Sequence, residues 1–548
     1  MRELITAADF RDMMLCADAA LHANTQSINE LNVFPVPDGD TGTNMSLTVN
    51  NAATELRKRT FATISEAADC AASGLLRGAR GNSGVITSLL FRGMSRKLKG
   101  STQADAAAYS AAMTEGVDAA YKAVMKPAEG TILTVSRKAA EAAVDYTKNG
   151  GADIERMLEL SIQAAKEALE DTINLNPVLK KAGVVDAGGK GYVVIYEAML
   201  NCLRGNVTAP DEAEAASFGD ESGVFEKFDT EDITFAYDTV FIVRRTSDKS
   251  LDLLRAYLDS IGDSLVIGED DECFKVHVHT NIPGDALTEA QKYGTLETAK
   301  IENMRTQHDE LVGAAPEAPS EEAENAAPVK EFGSVAVCAG EGMASLFKEI
   351  GVDSIVTGGQ TMNPSTDDIL REVNRTPART VFVFPNNKNI IMAAQQCVPL
   401  TDKKVIVMPT KTVPQGVSAM LCLEPDVSEE NLIEAMTEAM DKVHTAQITY
   451  AARDSEFDGS TIHAGEYLAL LDGALLGSYK DLNALLSELG TTVSSRMKPE
   501  IITLYYGEDV DEKDAQETGG ILSDCFPDTE VGVVYGGQPV YYYMISIE

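Results

Sequence analysis

Apolar positions recur every three to four residues through most of the first 205 residues. "DAAAYSAAMTEGVDAAYKAVM" and "DIERMLELSIQAAKEALEDTI" show this best. The period predicts amphipathic helices, each burying one stripe. Strand-like alternation is scarce there, so residues 1–205 predict an all-α domain. The pattern changes after "TAPDEAEAASFGDESG", an acidic stretch punctuated by Gly and Pro, within a linker expected over residues 206–228. "FAYDTVFIVRR" and "DECFKVHVHT" then alternate with the period of two of a strand, whereas "SLDLLRAYLDSIG" and "PGDALTEAQKYG" read as helices. Residues 229–312 therefore predict a small α+β domain. A second acidic linker, expected to be disordered, covers 313–331 and contains the low-complexity run "APEAPSEEAENAAPVKE". From 332 to 548, short apolar runs such as "SVAVCAG", "TVFVFPN" and "KVIVMPT" alternate with helical patterns, which predicts a parallel α/β sheet. The tail from "EIITLYYGED" onward reads as a further small α/β unit.

Length and charge narrow the function. A chain of 548 residues is too long for one ordinary domain. The balance of 85 Asp and Glu against 46 Lys and Arg, a formal charge of -39, disfavours nucleic acid or an anionic membrane as partner. An anionic ligand would need a local cation, a metal ion or a helix N-terminus. Eight scattered cysteines without a CxxC pair suit a reducing compartment. The first 26 residues read as an amphipathic helix rather than a signal peptide. No apolar run reaches the roughly 18 residues of a membrane span. A soluble cytoplasmic protein is expected, with no integral membrane segment and no nucleic-acid partner.

Against that charge, "VPDGDTGTNM" (36–45) crowds Asp38 and Asp40 onto one turn. Positions i and i+2 of an extended turn can share a side, and two carboxylates so placed suit a hard cation such as Mg2+. Gly39 and Gly42 would admit phosphate oxygens to the backbone. Thr43 or Asn44 would cap a helix starting near Met45. For a lone Asp-Gly-Asp, a plain acidic turn and helix cap is the better explanation, and only the surrounding motifs change that. A second stretch, "GARGNSGV", sets Gly81, Asn82, Ser83 and Gly84 ahead of an apolar helix, as a phosphate cradle or as close helix packing. A third, "DAGGKG" (186–191), is not a P-loop: the spacing fails, and Gly191 stands where Ser or Thr would hold Mg2+.

These three turns together resemble the ATP-binding domain of the dihydroxyacetone kinase L-subunit. With "VHVHTNIPG", "NMRTQH", "GGQTMNPST" and "PNNKNI", nearly the whole chain resembles the catalytic subunit of bacterial fatty acid kinase. The resemblance implies an eight-helix barrel holding ATP through two Mg2+ ions. Asp38 and Asp40 match metal-ligand positions. The family's third carboxylate has no clear counterpart, Asn32 being the nearest residue. Ser83 and its neighbours would contact phosphate. Thr131, within "EGTIL", and Asp186 and Gly188 would lie near the nucleotide. Arg305 matches the family's essential arginine and would neutralise the transferring phosphoryl group or the acceptor carboxylate.

His277 and His279 alternate on one strand and so face one side of a sheet, a pairing that suits zinc or simply a solvated strand face. Where the related kinases usually carry a cysteine ligand this chain has Asp238, a harder donor, so the expected Zn2+ site at Asp238, His277 and His279 is weaker, takes another metal or is empty. The resemblance further implies a C-terminal domain like the fatty-acid-binding DegV proteins, used for partner docking, and a homodimer. The function implied is ATP-dependent phosphorylation of a fatty acid carboxylate, presented by a separate DegV-type protein, to give an acyl phosphate. A small-polyol kinase of the dihydroxyacetone kinase type and a non-enzymatic nucleotide-binding scaffold are the alternatives.

Overall fold

A computed structural model describes residues 2–32, 39–124, 127–206, 237–247, 249, 251–269, 273–303, 329–359, 362–451, 455–457 and 460–548. The chain forms two compact units. One joins residues 1–219 to 323–548, and the other is residues 220–322.

The first unit begins with helices α1 (Ala7–Asn29), α2 (Thr41–Arg57), α3 (Ile64–Arg77), α4 (Gly81–Leu98), α5 (Ala106–Ala123), α6 (Ile132–Lys148) and α7 (Ile154–Leu175). The short α8 (Pro177–Ala182) and then α9 (Ala187–Leu203) follow. Each helix from α1 to α7 packs against the next, α7 against α9, and α9 back against α1. The ring closes on eight helices, with α8 as an excursion, and β1 (Leu4–Ile5) pairs with β2 (Ala104–Asp105) beside it. Local chemistry sets the starts. Thr6 with Asp9 and Thr63 with Glu66 form capping boxes, which satisfy N–H groups that a helix leaves unbonded. The ring interior is apolar, built from residues such as Phe10, Met14, Leu56, Leu90, Met113 and Ile195.

The same unit continues with four parallel strands, in the spatial order of Lys404–Val407, Ala378–Phe384, Lys330–Cys338 and Ser354–Thr357. Helices Glu341–Glu349, Thr366–Arg375 and Ile391–Cys397 form the crossovers. Both faces of this sheet are buried, as parallel sheets require. Val335, Val337, Val381 and Val383 join the core shared with the helical ring, while Ala336, Cys338, Phe382 and Phe384 point into a second core. A six-stranded mixed sheet follows. Its tail strands Ile501–Tyr506, Glu530–Tyr535 and Tyr543–Ile547 share hydrogen bonds with His444–Tyr450, Tyr467–Leu471 and Ala474–Tyr479. The tail is therefore half of a larger layer and not a separate unit. The pairing of Tyr543–Ile547 with both halves makes it so.

The second unit is an antiparallel sheet of β3 (Tyr237–Arg245), β4 (Gly262–Glu269), β5 (Cys273–Thr280) and β6 (Gly294–Asn303), in the order β4-β5-β3-β6. Helices Asp252–Ile261 and Pro283–Ala290 cover a core of Phe241, Val243, Leu254, Phe274, Val276 and Ala290. No helix among the described residues is long and apolar enough to cross a membrane.

Candidate kinase site

All three Gly-rich turns open helices: "DGDTG" leads into α2, "GARGN" into α4 and "DAGGKG" into α9. Thr131 opens a fourth, its hydroxyl accepting from Leu133 N–H at the start of α6. Ring closure brings these four N-termini to one end. A Cβ built on Gly84 would lie 2.3 Å from Thr48 Oγ1, and one on Gly81 2.6 Å from Asn44 Nδ2, so α4 starts against α2. A Cβ on Gly191 would lie 2.5 Å from Met45 Sδ, so α9 starts against α2 as well. A Cβ on Gly188 would sit 3.3 Å from Ile132, the first residue of α6. The glycines thus permit close approach, and the positive dipole ends of four helices converge.

The donors at this end are unequal. At α2, Asn29 Oδ1 accepts from the N–H groups of Gly42 and Thr43 at 2.7 and 3.2 Å, and Asn29 Nδ2 donates to Thr43 Oγ1 at 3.0 Å. The helix starts at Thr41 and not near Met45, and Thr43 and Asn44 sit inside its first turn. They do not cap it, because a side chain from the end of α1 already does. At α4 no side chain caps the start. Arg80 and Ser365 form an isolated antiparallel bridge at its edge. The N–H groups of Asn82 and Ser83 donate to no group among the described residues. Gly81 has φ +56°, a left-handed conformation that glycine adopts without strain. Such an uncapped start beside Gly81 is a ready anion cradle.

Asp40 is the N-cap residue of α2, yet its side chain makes no capping bond. It is 7% exposed, and its carboxylate accepts from Asn363 Nδ2 of the C-terminal region. Arg80 Nη1 donates to the carbonyl of Asn363 at 2.9 Å, and Arg80 pairs with Asp368 at 3.5 Å. Burial pulls the Arg80 guanidinium below its ordinary pKa, and Asp368 opposes this. Asn82 Nδ2 donates to Asn389 Oδ1 at 3.2 Å. Local sequence marks the loops of Asn363 and Asn389 as helix starts able to receive an anion, but not that these residues, or Asn29, meet Asp40 and the starts of α2 and α4. Their signal was confined to a helix end and two turn-rich loops far along the chain.

Asp186 caps α9 through Gly189 N–H at 2.7 Å and also accepts from the backbone of Ile132. Burial pushes its pKa up to about 6 against those two bonds. A raised carboxyl pKa favours the acid form of the folded protein. That stability is full below the ordinary value of 3.8 and is lost as pH rises through about 6. Asn is an equally good cap without the charge. Asp186→Asn is therefore expected to raise stability at pH 7–8 by about 1–3 kcal/mol, with the gain vanishing below pH 4. Urea unfolding at the two pH values checks this; an equal gain at both would refute the burial argument.

Asp38 and Arg305 lie outside the described residues. Asn32 is placed, its N–H donating to Asn29 O in the turn that ends α1. In the second unit, the register sets Asp238 opposite His279 and Val240 opposite His277. The side chains of Asp238, His277 and His279 lie outside what the structure describes, and among the described residues no three His, Cys, Asp or Glu stand together as a metal site.

Three family models tile the chain: the DAK2 domain over residues 35–201, the FakA-like fatty acid kinase middle domain over 234–311, and the FakA-like fatty acid kinase C-terminal domain over 333–548. Protein YloV of Bacillus subtilis (strain 168) is 41% identical over 551 residues, covering 98% of each chain. The chain belongs to the FakA-like fatty acid kinase family. The uncharacterized protein SERP0792 of Staphylococcus epidermidis is 39% identical over 549 residues, again covering 98% of each chain. Among solved structures, the DegV family protein Cg2579 from Corynebacterium glutamicum aligns with a TM-score of 0.31 at 11% identity, covering 40% of this chain and 97% of that one. The dihydroxyacetone kinase of C. freundii aligns with a TM-score of 0.31 at 11% identity, covering 44% of this chain and 54% of that one. Membership of the FakA-like family, with its DAK2 domain, supports a kinase role.

Proposed function

We propose that this chain is an ATP-dependent kinase subunit that phosphorylates a fatty acid carboxylate carried by a separate DegV-type protein, giving an acyl phosphate. The observation that carries this reading is the uncapped start of α4 beside the buried Asp40, at an end where four helix N-termini meet. Free amides at Asn82 and Ser83 suit nucleotide phosphates, and a carboxylate at that spot suits Mg2+. Asp40, with Asp38, would hold the cation, whose charge would offset that of the phosphates. Thr43, Asn44, Gly81, Gly84, Thr131, Asp186 and Gly188 would complete the nucleotide site. Arg305 is assigned to the developing charge on the transferring group.

The step needs no strong base. The acceptor is an ionised carboxylate, and its oxygen forms the new O–P bond with the γ-phosphorus. The bond from that phosphorus to the bridging oxygen breaks, and the electron pair leaves on ADP. Catalysis is then positioning plus charge stabilisation by the chain's amides and side chains. The test mixes the full chain with ATP, Mg2+ and a purified fatty-acid-loaded DegV-type protein, then traps acyl phosphate with hydroxylamine. Hydroxamate is expected only when all are present. Turnover of dihydroxyacetone instead would make the chain part of a polyol kinase. ATP binding without turnover on either acceptor would make it a nucleotide-binding scaffold.

A further inference from the structure

Asn363 is 1% exposed, and its two amide atoms have opposite fates. Nδ2 donates to Asp40, while Oδ1 is buried with no hydrogen-bond partner. Leaving a buried carbonyl oxygen unsatisfied is unfavourable, so a ligand that supplies its partner is favoured there. The residue is held where it is. Arg80 Nη1 clamps its carbonyl at 2.9 Å, Pro364 follows it, and Ser365 then caps the helix Thr366–Arg375 in a capping box with Asp368. Thr366 N–H also bonds Ala79 O at 3.1 Å, tying this loop to the residue before Arg80. A Cβ built on Gly81 would lie 3.5 Å from Asn363 Nδ2, so the carboxamide borders the anion cradle. An orphaned acceptor oxygen beside a buried carboxylate is an arrangement that a hard cation satisfies and an anion does not.

Resting on the kinase reading above, we infer that Asn363 is a further oxygen ligand for the divalent cation at Asp40, supplied by the C-terminal region to the helical domain's site. The metal centre is then shared between two parts of the chain 323 residues apart. Cation binding strengthens the seating of the C-terminal region on α4, and that seating strengthens cation binding by the same factor. The C-terminal region thereby acts in cis on nucleotide loading.

The test titrates Mn2+ into the full-length protein and reads free Mn2+ by electron paramagnetic resonance. Asn363→Ala is expected to weaken Mn2+ binding roughly 10- to 100-fold, the usual cost of removing a residue that supports a metal site. Asn363→Asp replaces one oxygen donor by another and is expected to bind at least as tightly as wild type. Without a cation, Asn363→Asp sets two carboxylates together, so Mn2+ is expected to raise its thermal midpoint more than it raises that of wild type. This comparison stands even if Asn363→Ala does not fold. Unchanged or tighter binding in Asn363→Ala overturns the inference and makes Asn363 a latch that competes for Asp40. An Mn2+ effect on Asn363→Asp no larger than on wild type overturns it too. Asp40→Asn separates the two levels: if it alone loses Mn2+, only the role of Asn363 fails. If Asp40→Asn binds like wild type, or wild type binds no Mn2+, the cation at Asp40 fails as well.

Discussion

Asp40→Asn is expected to lower acyl phosphate formation by at least about 100- to 1,000-fold, the scale of losing one preorganised electrostatic group, while the protein stays folded. The fold survives because the Asp40 side chain makes no capping bond to α2, whose first amides are held by Asn29. An Asn side chain can still accept from Asn363 Nδ2, and a buried charge is removed rather than added. Activity falls because of charge. At a formal -39, the molecule as a whole repels a nucleotide, so binding depends on local positive groups. The helix starts supply partial charges only, and a divalent cation held by a carboxylate supplies the rest. Hydroxamate trapping with the loaded partner gives the rate, and urea unfolding gives the stability. Full activity in a folded Asp40→Asn protein would remove this residue from the site. Loss of activity with loss of fold would mean that Asp40 is structural.

Much of this site was legible in local sequence, and the rest was hidden by distance. Glycine-rich turns that open helices announce themselves, because amide access and close approach both demand small residues at the start of an apolar period. Which starts meet is not local, because closing a ring of eight helices decides it. The cap on α2 illustrates the failure. Thr43 and Asn44 are good capping residues adjacent to the turn, but Asn29 at the end of α1 reaches those amides first. The partners of the "GARGN" turn lie farther still. Arg80 meets Asn363 across 283 residues and Asn82 meets Asn389 across 307, and nothing in the local sequence of either loop names its partner. The tail failed for a related reason. Its alternation showed strands, but only the pairing of Tyr543–Ile547 with both Ile501–Tyr506 and His444–Tyr450 merges them into a six-stranded layer.

Gly116→Val is expected to destroy the cooperative unfolding of the helical domain, at a cost above about 4 kcal/mol, in the range that only severe core disruption reaches. Helices α4 and α5 cross where Gly93 faces Gly116. A Cβ on Gly116 would lie 2.4 Å from Leu90 O, and one on Gly93 would lie 2.5 Å from Glu115 O and 2.6 Å from the Gly116 Cα. These obstacles are backbone atoms of two neighbouring helices, so no side-chain rotation relieves them. The helices must separate instead, which opens voids along the seam and loosens the ring that holds the four N-termini together. Gly520 is the matched control. It sits exposed in the helix Glu512–Cys525, and a Cβ there meets nothing within 4 Å. Gly520→Ala therefore gains helix propensity without a clash, and is expected to stabilise by about 0.5–1 kcal/mol. Thermal and urea transitions of both variants, followed by far-ultraviolet circular dichroism, check the pair. A Gly116→Val protein that unfolds like wild type would show that the α4–α5 crossing has slack, and that the glycines there do not set the geometry of the site.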